Sequence, residues 1–193
     1  MRNPHRTQNI AFSLLFLATL LIIVPVGAII VIIIVKGLPA INWQFLSDIP
    51  RQGMRAGGIF PVIVGTIYLV LGAIIFALPI GLLAAIYLSE YAKNNLLTRL
   101  IKLAIVNLAG VPSVVYGLFG LALFVVFFKF GASIISGSLT LGIMILPIII
   151  TTSREALESV PQSFREVSLS LGASKWQTIR HIVLPNAIPG ILT

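Results

Sequence analysis

The chain contains no cysteine, which excludes disulfides, thiolate metal sites and cysteine nucleophiles from its 193 residues. Charge is nearly as scarce. Asp, Glu, Lys and Arg supply 9% of the residues, against roughly a quarter in an average soluble domain. The five carboxylates (Asp48, Glu90, Glu155, Glu158 and Glu166) all read as loop residues. They form no acid–base–nucleophile cluster and no metal-ligand set, and neither a P-loop, a GxGxxG run nor an HExxH helix occurs. No catalytic residue, metal site or cofactor is therefore assigned to this chain. If ATP drives its function, a separate subunit hydrolyses it.

What fills the space left by charge is apolar sequence, 58% of the chain, with a mean hydropathy of +1.09. Four runs, residues 10–35, 62–88, 103–128 and about 130–150, are long enough to cross about 30 Å of hydrocarbon at roughly 1.5 Å per helical residue. Lys129 separates the last two. The fold class that follows is an all-α polytopic membrane protein with four spans. The first run is too long for a signal-peptide core and lacks a small-residue cleavage site after it, so residues 1–36 read as a tail and uncleaved anchor. Residues 37–58 form an external connection rich in glycine and proline, in which Asn42-Trp43-Gln44-Phe45-Leu46 is a candidate interfacial helix. Residues 59–193 make up the membrane domain, including a polar loop at 151–185.

The formal charge of +8 and pI near 10.5 report topology rather than nucleic-acid binding, because cationic loops orient membrane proteins. With the N-terminus inside, the cytoplasmic pieces hold Arg2, Arg6, Lys93, Arg99, Lys102, Arg154, Arg165, Lys175 and Arg180. The external pieces hold only Lys36, Arg51, Arg55 and Lys129. This bias places the N-terminus and the 151–185 loop in the cytoplasm.

Within the third run, Gly110-Val111-Pro112-Ser113 interrupts the helix, since Pro112 removes an amide donor and crowds the preceding turn. Two readings stand side by side: a proline kink packed against neighbouring helices, or broken backbone facing a transport pathway. Under the second, Pro112, Ser113 and Tyr116 are the pathway candidates, with Arg154 the nearest cation.

Three capping patterns follow the fourth run, at Thr152/Glu155, Ser163/Glu166 and Ser174/Gln177. Pro161, Gly172 and Pro185 are expected to end the three helices. Phe164, Val167 and Leu171 would form one apolar stripe on the second helix, and Trp176, Ile179 and Val183 one on the third. A helical hairpin of this kind could dock a protein, lie on the membrane or merely connect. Its near balance of acids and bases argues against anionic lipid.

The spacing Glu166-Val167-Ser168, three residues, Gly172, nine residues, Ile182-Val183-Leu184-Pro185 resembles the EAA loop of ABC importer permeases. Val167 and Ser168 stand where that family usually has alanines. Other segments are similar to the PstA-type permeases of phosphate importers in particular. They are residues 58–66 (Gly58-Ile59-Phe60-Pro61 onward to Thr66), Ala85-Ile86-Tyr87-Leu88-Ser89-Glu90-Tyr91-Ala92, Ala109-Gly110-Val111-Pro112-Ser113-Val114-Val115-Tyr116-Gly117-Leu118-Phe119-Gly120, Gly137-Ser138-Leu139-Thr140-Leu141 and Ile188-Pro189-Gly190-Ile191-Leu192-Thr193.

The resemblance implies a type I ABC importer transmembrane domain in the bacterial inner membrane, of about six spans. Four complete spans and the start of a fifth are expected within these residues. It implies four kinds of partner: membrane lipid, a second, PstC-like permease, PstB-like ATPase subunits that use ATP and magnesium, and a PstS-like periplasmic phosphate-binding protein. It assigns ATPase coupling to Phe164, Arg165, Glu166, Val167, Leu171, Gly172 and Ala173. Phosphate entering low dielectric needs compensating cations, which the four spans lack. The principal phosphate-binding arginines are therefore expected beyond residue 193 or in the partner. Other oxyanions (sulfate or molybdate) and a sensing role toward a histidine kinase are the alternatives.

Overall fold

The computed structural model describes residues 4–192 apart from residue 54. Arg2 of the expected cytoplasmic tail and Thr193 of the last quoted segment lie outside the described residues, as does the side chain of Arg6. The chain divides into two compact units, Met1–Ile63 and Val64–Thr193.

The first unit opens with α1, Pro4–Gly37, whose apolar side chains from Phe12 onward are largely exposed, as suits a helix solvated by lipid. A 3-10 turn, Leu38–Ala40, leads to α2, Trp43–Ser47, where Asn42 Oδ1 accepts the Phe45 N–H at 2.8 Å. Next comes a two-residue antiparallel ladder, β1 (Pro50–Arg51) with β2 (Ala56–Gly57), so the all-α reading needs this small correction. Gly57 has φ +88°, and a Cβ on Gly58 would collide with the carbonyl oxygens of Phe45 and Asp48. Gly58→Ala is expected to destabilise this connection by about 2 kcal/mol, the usual scale of overpacking. Faster limited proteolysis between β1 and β2 would report it.

The second unit is built on α3 and α6. Helix α3 (Phe60–Ile86) begins in the first unit and runs on as a π turn, Tyr87–Tyr91, closed by the Ala92 N–H on Tyr87 O at 2.8 Å. Helix α6 spans Ile134–Glu158. Ser138 Oγ donates to Leu69 O at 3.2 Å, Gly81 faces Ile149, and Ala85 and Ile86 share a core with Leu157. The residue numbers rise together along both helices, so α3 and α6 run parallel.

The chain must therefore travel back between them, and α4 (Leu96–Ala109) and α5 (Ser113–Gly120) carry it. Helix α5 continues as a π-helical stretch, Leu121–Phe127. Lys102 lies beside Glu158 at one end of α6, and Gly120 packs on Thr140 toward the other. The expected third span is thus two helices bent by 97° at Gly110–Pro112. It starts at Leu96, so Arg99 and Lys102 sit in a helix rather than in a loop. Among the described residues, three helices are long and apolar enough to cross a membrane, and this bent pair is a further candidate.

Two expectations about the polar loop are overturned. Helix α6 does not stop near residue 150; Thr151 and Thr152 donate their hydroxyls to carbonyls one turn back, Pro147 O and Ile148 O, each at 2.9 Å. The Thr152/Glu155 pattern therefore lies inside a helix and caps nothing, and Glu155 and Glu158 are helical rather than loop residues. Nor does Pro185 end a helix. The short α8 (Lys175–Thr178) passes through a π turn, Ile179–Val183, directly into α9 (Leu184–Leu192). Pro185 sits in the first turn of α9, where its missing N–H costs little after the widened turn.

Candidate functional site

Beyond α6 the chain makes the hairpin that the polar loop promised. Helix α7 is Gln162–Ser170. It starts at Pro161 (φ −55°, ψ 138°), whose extended backbone sets the helix direction, and among the described residues no side chain caps it. The Ser163/Glu166 pattern is two residues out of register to form its box, and Glu166 is exposed. Gly172 turns the chain with φ +84°, a left-handed conformation that suits glycine. Ser174 then begins α8 with a complete capping box, its Oγ accepting from Gln177 N and its own N–H donating to Gln177 Oε1.

The two arms are tied by one buried contact, Ser168 Oγ to Thr178 Oγ1 at 2.9 Å. Both hydroxyls are satisfied there, so serine in place of the family's alanine is compatible with close packing of the hairpin. The α8 side rests on an apolar core: Ile179 and Val183 pack with Ala85 and Ile86 of α3, Ala156, Leu157 and Val160 at the end of α6, and Ala187 of α9.

The α7 side is held differently. Arg165 reaches inward, donating from Nε (3.1 Å) and Nη2 (2.8 Å) to Glu90 Oε1. Nη2 also donates to Leu157 O at 2.8 Å and Nη1 to Val160 O at 2.6 Å. Both partners are nearly buried, with 12% and 8% of their side chains exposed. Lys175, the first residue of α8, straps the other arm to the same place, donating to the Glu90 backbone carbonyl with its Nζ 4.8 Å from the centre of the Tyr91 ring. A polar groove of about 460 Å³ lies alongside, lined in part by Ser89, Glu158 and Gln162.

The outward face carries the expected stripe in part. Leu171 is 83% exposed and Val167 60%, with Phe164 and Trp176 about half exposed beside them. Ala173 is half-buried at the turn. Of the coupling set, then, Phe164, Val167 and Leu171 face outward with Glu166, Gly172 makes the turn, and Arg165 faces inward as an anchor. Of the second stripe, Ile179 and Val183 are buried in the core while Trp176 is half exposed.

Three of the four pathway candidates meet at the α4–α5 elbow. Pro112 precedes the first residue of α5, and the Tyr116 hydroxyl bridges the break by donating to Leu108 O at 2.9 Å. Ser113 and Tyr116 line an otherwise apolar groove of about 460 Å³ with Val70, Ala73, Met144 and Ile148. Arg154 is not there. It lies near the end of α6 against Lys102, Ile105 and Val106, its Nε 3.8 Å from Glu158 Oε1 and without a hydrogen-bond partner among the described residues. Glu90 is the residue that sequence reasoning passed over. Its one local signal was a carboxylate immediately after a long apolar run.

Comparison with known proteins agrees with this architecture. Residues 77–193 match the family model of the binding-protein-dependent transport system inner membrane component. The probable ABC transporter permease protein YqgI of Bacillus subtilis is 34% identical over 161 residues, 83% of this chain and 55% of that protein. Phosphate transport system permease protein PstA 1 of Mycobacterium tuberculosis is 32% identical over 192 residues, 96% of this chain and 61% of that one. PstA of Xylella fastidiosa is 34% identical over 161 residues, 83% and 56% respectively. The chain thus spans roughly half to three-fifths of the length of these relatives. With a match over more than half its residues, including α6 and the α7–α8 hairpin, the chain belongs to the binding-protein-dependent transport system inner membrane component family, the multi-pass permeases of ABC transporters.

Proposed function

We propose that this chain is the permease subunit of an ATP-driven phosphate importer and that it meets its ATPase through the outward face of the α7–α8 hairpin. The observation that carries the docking half is the exposed row of Phe164, Val167 and Leu171, with Trp176 beside it. A hairpin anchored on its inner side by Glu90, Arg165 and the Ile179–Val183 core presents these residues uncovered. Substrate rests on the relatives: several at 32–36% identity are named phosphate transport permeases.

The parallel run of α3 and α6 supports a crossing by the bent α4–α5 pair, for four spans in all. The Lys/Arg bias supports a cytoplasmic N-terminus and a cytoplasmic hairpin, and ATP and magnesium would be used by the partner ATPase. A second permease, PstC-like, would complete the pathway, and a PstS-like binding protein would deliver phosphate from outside. Among the described residues lining the elbow groove there is no cation, and the Tyr116 hydroxyl already donates to Leu108 O, which leaves Ser113, so charge compensation is expected from residues outside 1–193 or from that partner.

The deciding experiment is uptake of radiolabelled phosphate by cells whose own phosphate permease has been replaced by this gene, with excess sulfate or molybdate as competitor. Uptake that needs the gene and ignores both competitors is the expected result. Competition by sulfate or molybdate would reassign the substrate. Absence of uptake, with the protein in the membrane and kinase-dependent gene regulation intact, would favour the sensing alternative.

A further inference from the structure

The hairpin is attached to the membrane helices in two unlike ways. Helix α8 and the following π turn sit in an apolar core. Helix α7, which bears the exposed apolar row, is held by the Ser168–Thr178 contact and by Arg165, with open groove next to it. The hydrogen bonds of Arg165 reach two different helices at once: Glu90 in the π turn that continues α3, and the carbonyls of Leu157 in the last turn of α6 and Val160 just past it. The negative end of the α6 dipole favours a cation there.

A buried ion pair is poor evidence for stability, since well-packed apolar residues would serve as well. What a planar guanidinium with three engaged nitrogens adds is fixed geometry. Lys175 makes a separate link to the same end of α3, from α8.

We propose that Glu90 and Arg165 are positioning residues that form the joint through which displacement of α7 is passed to α3 and α6. The inference rests on the docking reading above and deepens it. Force applied at Val167 and Leu171 would reach α3 and α6 through Arg165. Without the joint, α7 would swing into the groove beside it while α8 stayed packed.

The test uses the full-length transporter assembled with its ATPase, reading ATPase stoichiometry, ATP hydrolysis and phosphate taken up per ATP. Single Glu90→Gln or Arg165→Gln changes leave one buried charge unpaired and are expected to impair assembly. The double variant E90Q/R165Q removes both charges. It is expected to assemble and hydrolyse ATP while moving about tenfold less phosphate per ATP, a typical coupling magnitude. Because residues 1–193 hold no cysteine, E90C/R165C can be bridged with a short bis-methanethiosulfonate reagent.

Bridging is expected to restore uptake per ATP, and reduction to remove it again. A double variant with wild-type uptake per ATP, or a bridged protein that assembles without regaining it, overturns the joint. If the double variant fails to assemble, the bridged pair alone decides. Failure of the docking reading looks different: the ATPase would stay bound when the exposed row of α7 is made acidic, whatever happens at Glu90.

Discussion

A Val167→Glu/Leu171→Glu double variant is expected to insert normally, keep its helices and lose ATPase association, with phosphate uptake falling to background. Both side chains are mostly exposed in this chain, so their burial is energy still to be gained on docking. Each is worth about 2 kcal/mol when fully buried, and two together weaken association by about a thousandfold. Burying two carboxylates instead of two aliphatic groups adds a desolvation cost in the same direction. The fold is not at stake, because neither side chain contributes to the core of Ile179, Val183 and Leu157. Co-purification of the ATPase measures the effect directly. Ser170→Ala, exposed on α7 outside this apolar row, serves as the control and is expected to leave both readings unchanged. Retained ATPase in the double variant would mean that the docking element lies elsewhere.

The second large effect is expected inside the membrane unit. A Cβ on Gly120 would overlap Thr140, whose hydroxyl is already committed to Ser136 O at 2.7 Å and so has little freedom to yield. Gly120→Val should push the far end of α5 away from α6 and undo the packing that holds the bent pair against its neighbour. A cost of about 3 kcal/mol is expected, the upper end of overpacking, seen as a lower thermal midpoint in detergent and poor yield. Gly117, one turn earlier, meets nothing within 4 Å, and Gly117→Ala is expected to be neutral or slightly stabilising. A Gly120→Val protein as stable as Gly117→Ala would show that α5 and α6 do not depend on this close approach.

How far the sequence alone reached follows the range of each interaction. Helices long enough to span, the Gly172 turn and the Ser174/Gln177 box were legible because each depends on residues a few positions apart. The apolar row on α7 was legible for the same reason, since a period near 3.6 shows in the residue order. The Ser163/Glu166 pattern misled because Pro161 sets the start of α7 first. The end of α6 was misplaced because Thr151 and Thr152 can either cap a new helix or bond back within an old one, and composition does not choose between them.

Of the site, the sequence determined that a polar hairpin follows an apolar domain and which of its residues form a stripe. Only the tertiary structure decided that Arg165 turns inward, that Arg154 stands apart from the elbow of Pro112, Ser113 and Tyr116, and that this elbow bends by 97°. It also decided that Glu90 is the partner of Arg165, although the two are 75 positions apart. The physical reason is that a buried charge is tolerated only where another part of the fold supplies its counter-charge and acceptors, and the chain's local order does not say which part that is.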